Sequence, residues 1–289
     1  MRFAEIGQQL RAYRIESGLR AEEIAARLGV SRAALYRYEK GEVIKLDTVK
    51  RLAELLKVSP LSLLGIGVEY YSRSVGYFER IRQVEESADQ ILQVFGPLSY
   101  LTTSDLFDKA MADGLAEVAE QAGPDRGTSR TAAEQVLSIL AARKRAYAQR
   151  RPGIIALLSA SSIRAFLDQG LLGGVTLSEP LRQHCRVVAA KEIENIASLM
   201  QAEPMGLQFG LLAGPDPSGA FKILRSRERA MLAINPFRSD GMPGMQTGVA
   251  LITSADEAVS AHQRVAEAMW RDAVKGAAGA ARLRELLET

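Results

Sequence analysis

Arg32 and Ala33 stand directly behind Ser31, a residue whose hydroxyl suits the cap of a helix beginning at the arginine. Capping there leaves both side chains at an exposed helix N-terminus. The surrounding stretch, LRAEEIAARLGVSRAALYRYEKG from Leu19 to Gly41, supplies the rest of the geometry. Ala25, Gly29 and Leu35 fall at helix-turn-helix spacing. Ala25 is small where two short helices cross, and Gly29 is free to take the positive φ that ends the first of them. A turn of this kind presents its second helix to the major groove of a duplex.

Bond-making chemistry is poorly supplied by comparison. The chain has two histidines and one cysteine. Such scattered ligands do not make a transition-metal site, and neither a phosphate-binding P-loop nor a G-x-S-x-G nucleophile elbow is present. We therefore expect no catalytic residues, no metal, no cofactor and no enzymatic activity. Cys185 reads as a structural thiol. A single cysteine allows no intramolecular disulfide, which suits a reducing compartment.

The elements that must position Arg32 are legible on both sides of it. Upstream, IGQQLRAYRIESG places Ile6, Leu10 and Tyr13 on one helical face. Downstream, LDTVKRLAELLKVS repeats the period with Val49, Leu52, Ala53 and Leu56. A compact all-helical unit from about Phe3 to Leu64 is expected. IGxxLRxxR, LGVSRxxLYRYEKG and LxxLAxLLxVS, in this order, resemble the Cro/C1-type helix-turn-helix domain of the xenobiotic-response-element (XRE) family of regulators. The resemblance implies base reading by Arg32, Ala33 and Arg37, with Tyr36 on the same exposed side. An arginine can hold guanine O6 and N7 together, and an alanine can touch a thymine methyl. It also implies phosphate contacts from Arg20, Ser31, Lys40 and Lys45, and an internal salt bridge between Arg14 and Glu39. One position departs from the family: Ala21 stands where many relatives carry Gln, which removes a phosphate contact and a brace for the reading residues.

Length and charge agree with a two-part chain. At 289 residues about two domains are expected. The first 65 residues hold 12 Lys/Arg against 8 Asp/Glu, whereas the remainder holds 25 against 26. The excess of positive charge thus sits where a polyanion would bind. The N-terminus reads as an amphipathic helix and not as a signal peptide, and no apolar run is long enough to span a bilayer. A cytoplasmic protein without membrane contact is expected.

Beyond residue 67 the expectations rest on pattern. Tyr70, Ser74, Tyr77, Ile81, Val84, Ala88, Ile91 and Phe95 follow alternating steps of four and three. That spacing predicts one long helix over 69–95, bearing either a subunit-pairing seam or a face for its own domain. The basic run Arg143, Lys144, Arg145, Arg150 and Arg151 reads as a solvated helix face, the alternative being a cluster that meets DNA or an anionic ligand. From Gly153, the runs IIALLS, LQFGLLA, AFKILRS, AMLAINPF and TGVALITS read as strands, with a tight hairpin at Arg227-Glu228 and helices between and after them. The fold class expected is multidomain: a helix-turn-helix domain (1–67), a helix that connects and is a candidate for dimerisation (68–97), and an α/β or α+β effector domain (98–289).

The later elements resemble the phospholipase-D-like effector half of some bacterial helix-turn-helix regulators, over roughly Ser129 to Ala273. Enzymes of that type need His-x-Lys, but His184 is followed by Cys185-Arg186 and His262 by Gln263-Arg264, so the resemblance implies an inactive version. Polar groups for an effector pocket are Ser159, Ser161 and Ser162 after IIALL, Asn235 and Arg238 after AMLAI, and Thr253 and Ser254 after VALI. The hydroxyls also suit ordinary helix caps. The reading is a DNA-binding transcriptional regulator, a dimeric repressor on an inverted-repeat operator, modulated by a small effector. The alternative is a regulator or architectural protein whose C-terminal half serves only oligomerisation or partner docking.

Overall fold

The computed structural model describes residues 3–94, 96–214, 219–236 and 248–288. Five helices come first: α1 (Phe3–Ser17), α2 (Ala21–Leu28), α3 (Arg32–Glu39), α4 (Leu46–Leu56) and α5 (Pro60–Leu63). Ile6, Leu10, Tyr13, Ile24, Leu35, Val49, Leu52 and Leu56 are all buried, as the 3.6-residue period of their spacing requires.

The segment that follows differs from the long helix predicted over 69–95. It forms β1 (Val68–Tyr71), α6 (Ser74–Ser87) and β2 (Gln90–Val94). The heptad-like spacing is genuine within α6, where Tyr77, Ile81 and Val84 line one face. Its continuation into Tyr70 and Ile91 is a coincidence of two short strands. Their pairing partners lie far away in sequence, so no local pattern reveals them. The seam is also no subunit contact: Tyr77, Ile81, Val84 and Ile91 are buried in the chain's own core.

The remaining elements are α7 (Asp105–Gln121), α8 (Arg126–Arg150), β3 (Gly153–Ser159), α9 (Ala160–Gln169), α10 (Glu179–Ala202), β4 (Leu207–Leu212), β5 (Phe221–Arg225), β6 (Ala230–Ile234), β7 (Ala250–Thr253), α11 (Asp256–Asp272), β8 (Val274–Lys275) and α12 (Gly276–Leu287). The strands make one mixed sheet of order β1-β7-β6-β5-β2-β3-β4-β8. Only β2-β3 and β3-β4 are parallel. One face carries the larger core beneath α6 to α10 and α12, and the other packs Leu92, Val94, Leu157, Phe221, Ile223 and Leu232 beneath α11. The chain therefore joins a helical N-terminal unit to a region of helices on a mixed sheet.

The two parts share a core. The Tyr13 ring of α1 stacks on Tyr71 of β1 at 5.3 Å and 12°. Beside it, Glu69 accepts from Arg80 Nε and Nη2, from Gln9 Nε2 and from the Tyr71 hydroxyl, each at 2.8 Å. Gly76 explains itself here. A Cβ at that position would lie 2.8 Å from Cβ of Glu16 and 3.0 Å from its Cα, so the helix-weakening glycine admits the close crossing of α1 and α6.

Because Arg80 and Glu69 are both almost inaccessible, Glu69→Ala is expected to cost about 3–5 kcal/mol in urea denaturation by leaving a buried guanidinium unpaired. Ile81→Asp is expected to unfold the chain. A folded, soluble Ile81→Asp monomer would return this face to the surface.

Candidate nucleic-acid interface

The turn between α2 and α3 is built from its own short-range chemistry. Glu23 reaches back to accept from the Arg20 backbone N–H at 2.8 Å, closing the start of α2. Gly29 adopts φ 71° and its N–H bonds to the last carbonyls of α2. Ser31 then caps α3 by accepting from Ala34 N at 3.0 Å. Ala34 and Leu35 turn inward, while Ser31, Arg32, Ala33 and Arg37 face solvent and Tyr36 is half-buried. Lys40 and Lys45 are exposed beyond the end of α3, and Arg20 is exposed at the start of α2. Of the eight residues expected at the DNA interface, seven lie on α3 or close to its ends in sequence, and Arg20 lies at the start of α2.

The base of that helix is fixed. Arg14 of α1 donates from Nε and Nη2 to the two carboxylate oxygens of Glu39 at 2.5 and 3.0 Å. A Cβ on Gly7 would strike the backbone carbonyls of Tyr38 and Glu39, so α1 lies against the end of α3 with no side chain between them.

One feature was missed by the sequence reading: both exposed arginines already have carboxylate partners. Arg32 Nη1 lies 2.7 Å from Glu22 of α2, its Nη2 donates to the Tyr36 hydroxyl at 3.2 Å, and its guanidinium sits over the Tyr36 ring. Arg37 pairs with Glu42 at 3.1 Å. All four charged side chains are more than half exposed, so each pair contributes little to stability. Either arginine must leave its carboxylate to reach a base. The i,i+4 spacing of Arg32 and Tyr36 was a usable signal, but Glu22 lies across the turn. Val43 and Leu46, beyond α3, are exposed apolar side chains that the sequence reading also left unassigned.

The groups expected to line an effector pocket are not brought together. Ser159 is buried at the end of β3, accepts from Ser162 N at 3.2 Å and lies 2.9 Å from the Ser161 hydroxyl, which is the arrangement of a helix cap. Asn235 follows β6 at the same end of the sheet, because β6 runs parallel to β3 through the registers of β5 and β2. Thr253 ends β7, which runs the other way, and Ser254 follows it, so both lie toward the opposite end. There Thr253 Oγ1 accepts from Ala255 N at 3.2 Å and lies 3.4 Å from the Gly67 carbonyl. Arg238 lies outside the described residues. Alternation along linear sequence cannot tell which way a strand runs, and the expected set consequently spans both ends.

The basic helix is also different from expectation. Arg143 is buried against Glu85, Lys144 pairs with Asp108 at 2.6 Å, and Arg150 lies 3.4 Å from Asp89. Arg145, Arg150 and Arg151 remain exposed. Cys185 is buried, and burial, with help from Asp113 and Glu117, pushes its thiol pKa up. It is a packed side chain.

Comparison with known proteins bears on the N-terminal unit. Residues 5–64 match the helix-turn-helix domain family. A search of curated proteins finds no match. The matched segment runs from α1 to the end of α5, and it supports a DNA-binding regulator. No described helix is long and apolar enough to cross a membrane.

Glu22→Gln frees Arg32 from its exposed partner and removes a negative charge of α2 from beside Arg32. In fluorescence anisotropy at low salt, duplex affinity is expected to rise by up to about fivefold, corresponding to about 1 kcal/mol, and the gain should shrink as salt increases. Unchanged affinity at low salt would mean that Glu22 does not compete for Arg32.

Proposed function

We propose that this chain is a sequence-specific transcriptional regulator of the XRE, Cro/C1-type class, a homodimeric repressor that reads an inverted-repeat operator. The single observation behind this reading is α3. Its exposed Arg32, Ala33 and Arg37 stand at the start and outer face of a capped, rigidly based helix. Arg32 and Arg37 suit guanine edges and Ala33 suits a thymine methyl, with Tyr36 beside them. Arg20, Ser31, Lys40 and Lys45 serve the phosphates. A pair of such domains doubles a weak contact through two-fold symmetry. The interface lies elsewhere than Tyr77, Ile81 and Val84, which are used within one subunit.

The sheet region is read as an effector-sensing and oligomerising unit of phospholipase-D-like descent and not as an enzyme. The sequence supports this through the missing lysines after His184 and His262. A small ligand that prefers one arrangement of the dimer then changes operator affinity by shifting populations. The short loop between α5 and β1 is where we place the domain boundary, although the shared core of Tyr13 and Tyr71 means that a fragment cut at residue 67 loses part of its own packing.

The test separates readers from anchors. Arg32→Ala should cost about 1–3 kcal/mol on the selected operator and relax preference at one base pair. Lys40→Ala should weaken operator and random DNA alike and reduce the salt slope by about one. Equal behaviour of the two variants on both DNAs would refute base reading by Arg32. Light scattering should give twice the 31.4 kDa of the chain, and footprinting should show half-sites about 10 base pairs apart or a multiple of that.

A further inference from the structure

Beneath α6 and α8 the sheet buries three charges side by side. Arg143 of α8 donates from Nε and Nη2 to the carboxylate of Glu85 on α6, at 2.8 and 2.9 Å. Lys222 of β5 holds its ammonium 3.7 Å from the same carboxylate. Side-chain exposures are 1% for Arg143, 4% for Glu85 and 13% for Lys222. Two cations therefore face one anion in a site where uncompensated charge is costly. The next pair along α8, Lys144 with Asp108, is internally neutral and leaves the surplus unchanged.

The donors around Glu85 are not exhausted. Arg143 Nη1 is buried and has no hydrogen-bond partner among the described residues. The Lys222 ammonium shares the Glu85 carboxylate with Arg143 and lies at the longer distance of 3.7 Å. The rings of Tyr100 and Phe78 lie 5.1 and 5.7 Å from the Arg143 guanidinium carbon. They offer π faces but no full negative charge. Burial pushes the Lys222 pKa down; Glu85 opposes this and Arg143 reinforces it, leaving the ammonium at about 8. Glu85, despite burial, is held below the ordinary carboxylate range by Arg143 and Lys222.

We propose that Glu85, Arg143 and Lys222 form an anion subsite that takes the carboxylate of a small organic acid, held by the Lys222 ammonium and the free Nη1 of Arg143. One carboxylate neutralises the surplus, whereas a phosphate group, at about −1.5 to −2, exceeds it. Lys222 pairs with Gln93, the penultimate residue of β2. That the bound acid is an effector rests on the regulatory reading above; the binding itself does not, and it is measured without DNA.

The full-length protein is titrated calorimetrically with sodium acetate and sodium benzoate at constant ionic strength in chloride, with sodium phosphate as the comparison. Saturable binding of one carboxylate per chain is expected, with phosphate at least about tenfold weaker. At about pH 8.5, binding should take up protons, because the arriving carboxylate returns Lys222 to its charged form. Lys222→Met, with its fold checked by circular dichroism and melting, should bind at least about tenfold more weakly, while Lys109→Met on the exposed face of α7 should match the parent. The subsite is overturned if neither carboxylate saturates, if phosphate binds equally well, or if Lys222→Met binds like the parent. Operator affinity measured on the same samples reports separately. Carboxylate binding that leaves it unchanged supports the subsite and removes only the effector role.

Discussion

The carboxylate of Glu69 governs how this chain is put together. It is buried, it accepts four hydrogen bonds, and its donors come from three elements: Gln9 on α1, Tyr71 on β1 and Arg80 on α6. A buried ion pair is a poor source of stability when compared with apolar residues of the same volume, but it is severe on any arrangement that breaks it. The consequence is specificity of docking. α1 cannot slide on α6, and β1 cannot leave the sheet edge, without stranding a guanidinium or a carboxylate in the core. The Tyr13-Tyr71 stack fills the space beside the pair. The helix-turn-helix unit is thereby fastened to β1 and α6.

α6 gathers the second buried charge pair as well. Arg80 faces the helical unit, and Glu85, five residues further along, faces Arg143 and Lys222. Its start is held by Glu16 of α1, whose carboxylate accepts from the backbone N–H groups of Ser72 and Arg73. A helix fixed by charge at both ends can move as a unit, whereas local rearrangement would expose an unpaired ion. The geometry joins the sheet face that carries the surplus charge to the helix on which α1 rests.

The reader was legible in the sequence because its determinants are local. Gly29 and Ser31 act within a few residues of themselves, and the Arg14-Glu39 bridge expected from the resemblance is present at hydrogen-bond distance. The centre of the chain was not legible, for reasons that are physical. VEYY and QILQV are too short to show alternation against a helical background, and they are strands only because β7, β3 and β5 arrive beside them. Arg143 looked like part of a solvated basic face because its partner Glu85 is 58 residues away. The expected pocket failed to assemble because Ser159 and Thr253 end strands of opposite direction, which composition does not encode.

Between the sheet region and α3 stands α1, an element packed with little slack on both sides. On one side Gly7 brings its backbone against the carbonyls of Tyr38 and Glu39 at the end of α3. On the other, Gly76 lets α6 approach the backbone of Glu16 itself. At both crossings a glycine removes the side chain that would otherwise adjust by changing rotamer. Close-packed interiors pass displacement on instead of absorbing it. A shift of α6 by an ångström therefore has no soft layer to enter before it reaches α3. Arg14, which ties α1 to Glu39, meets the last turn of α3, the helix that carries Arg32, Tyr36 and Arg37.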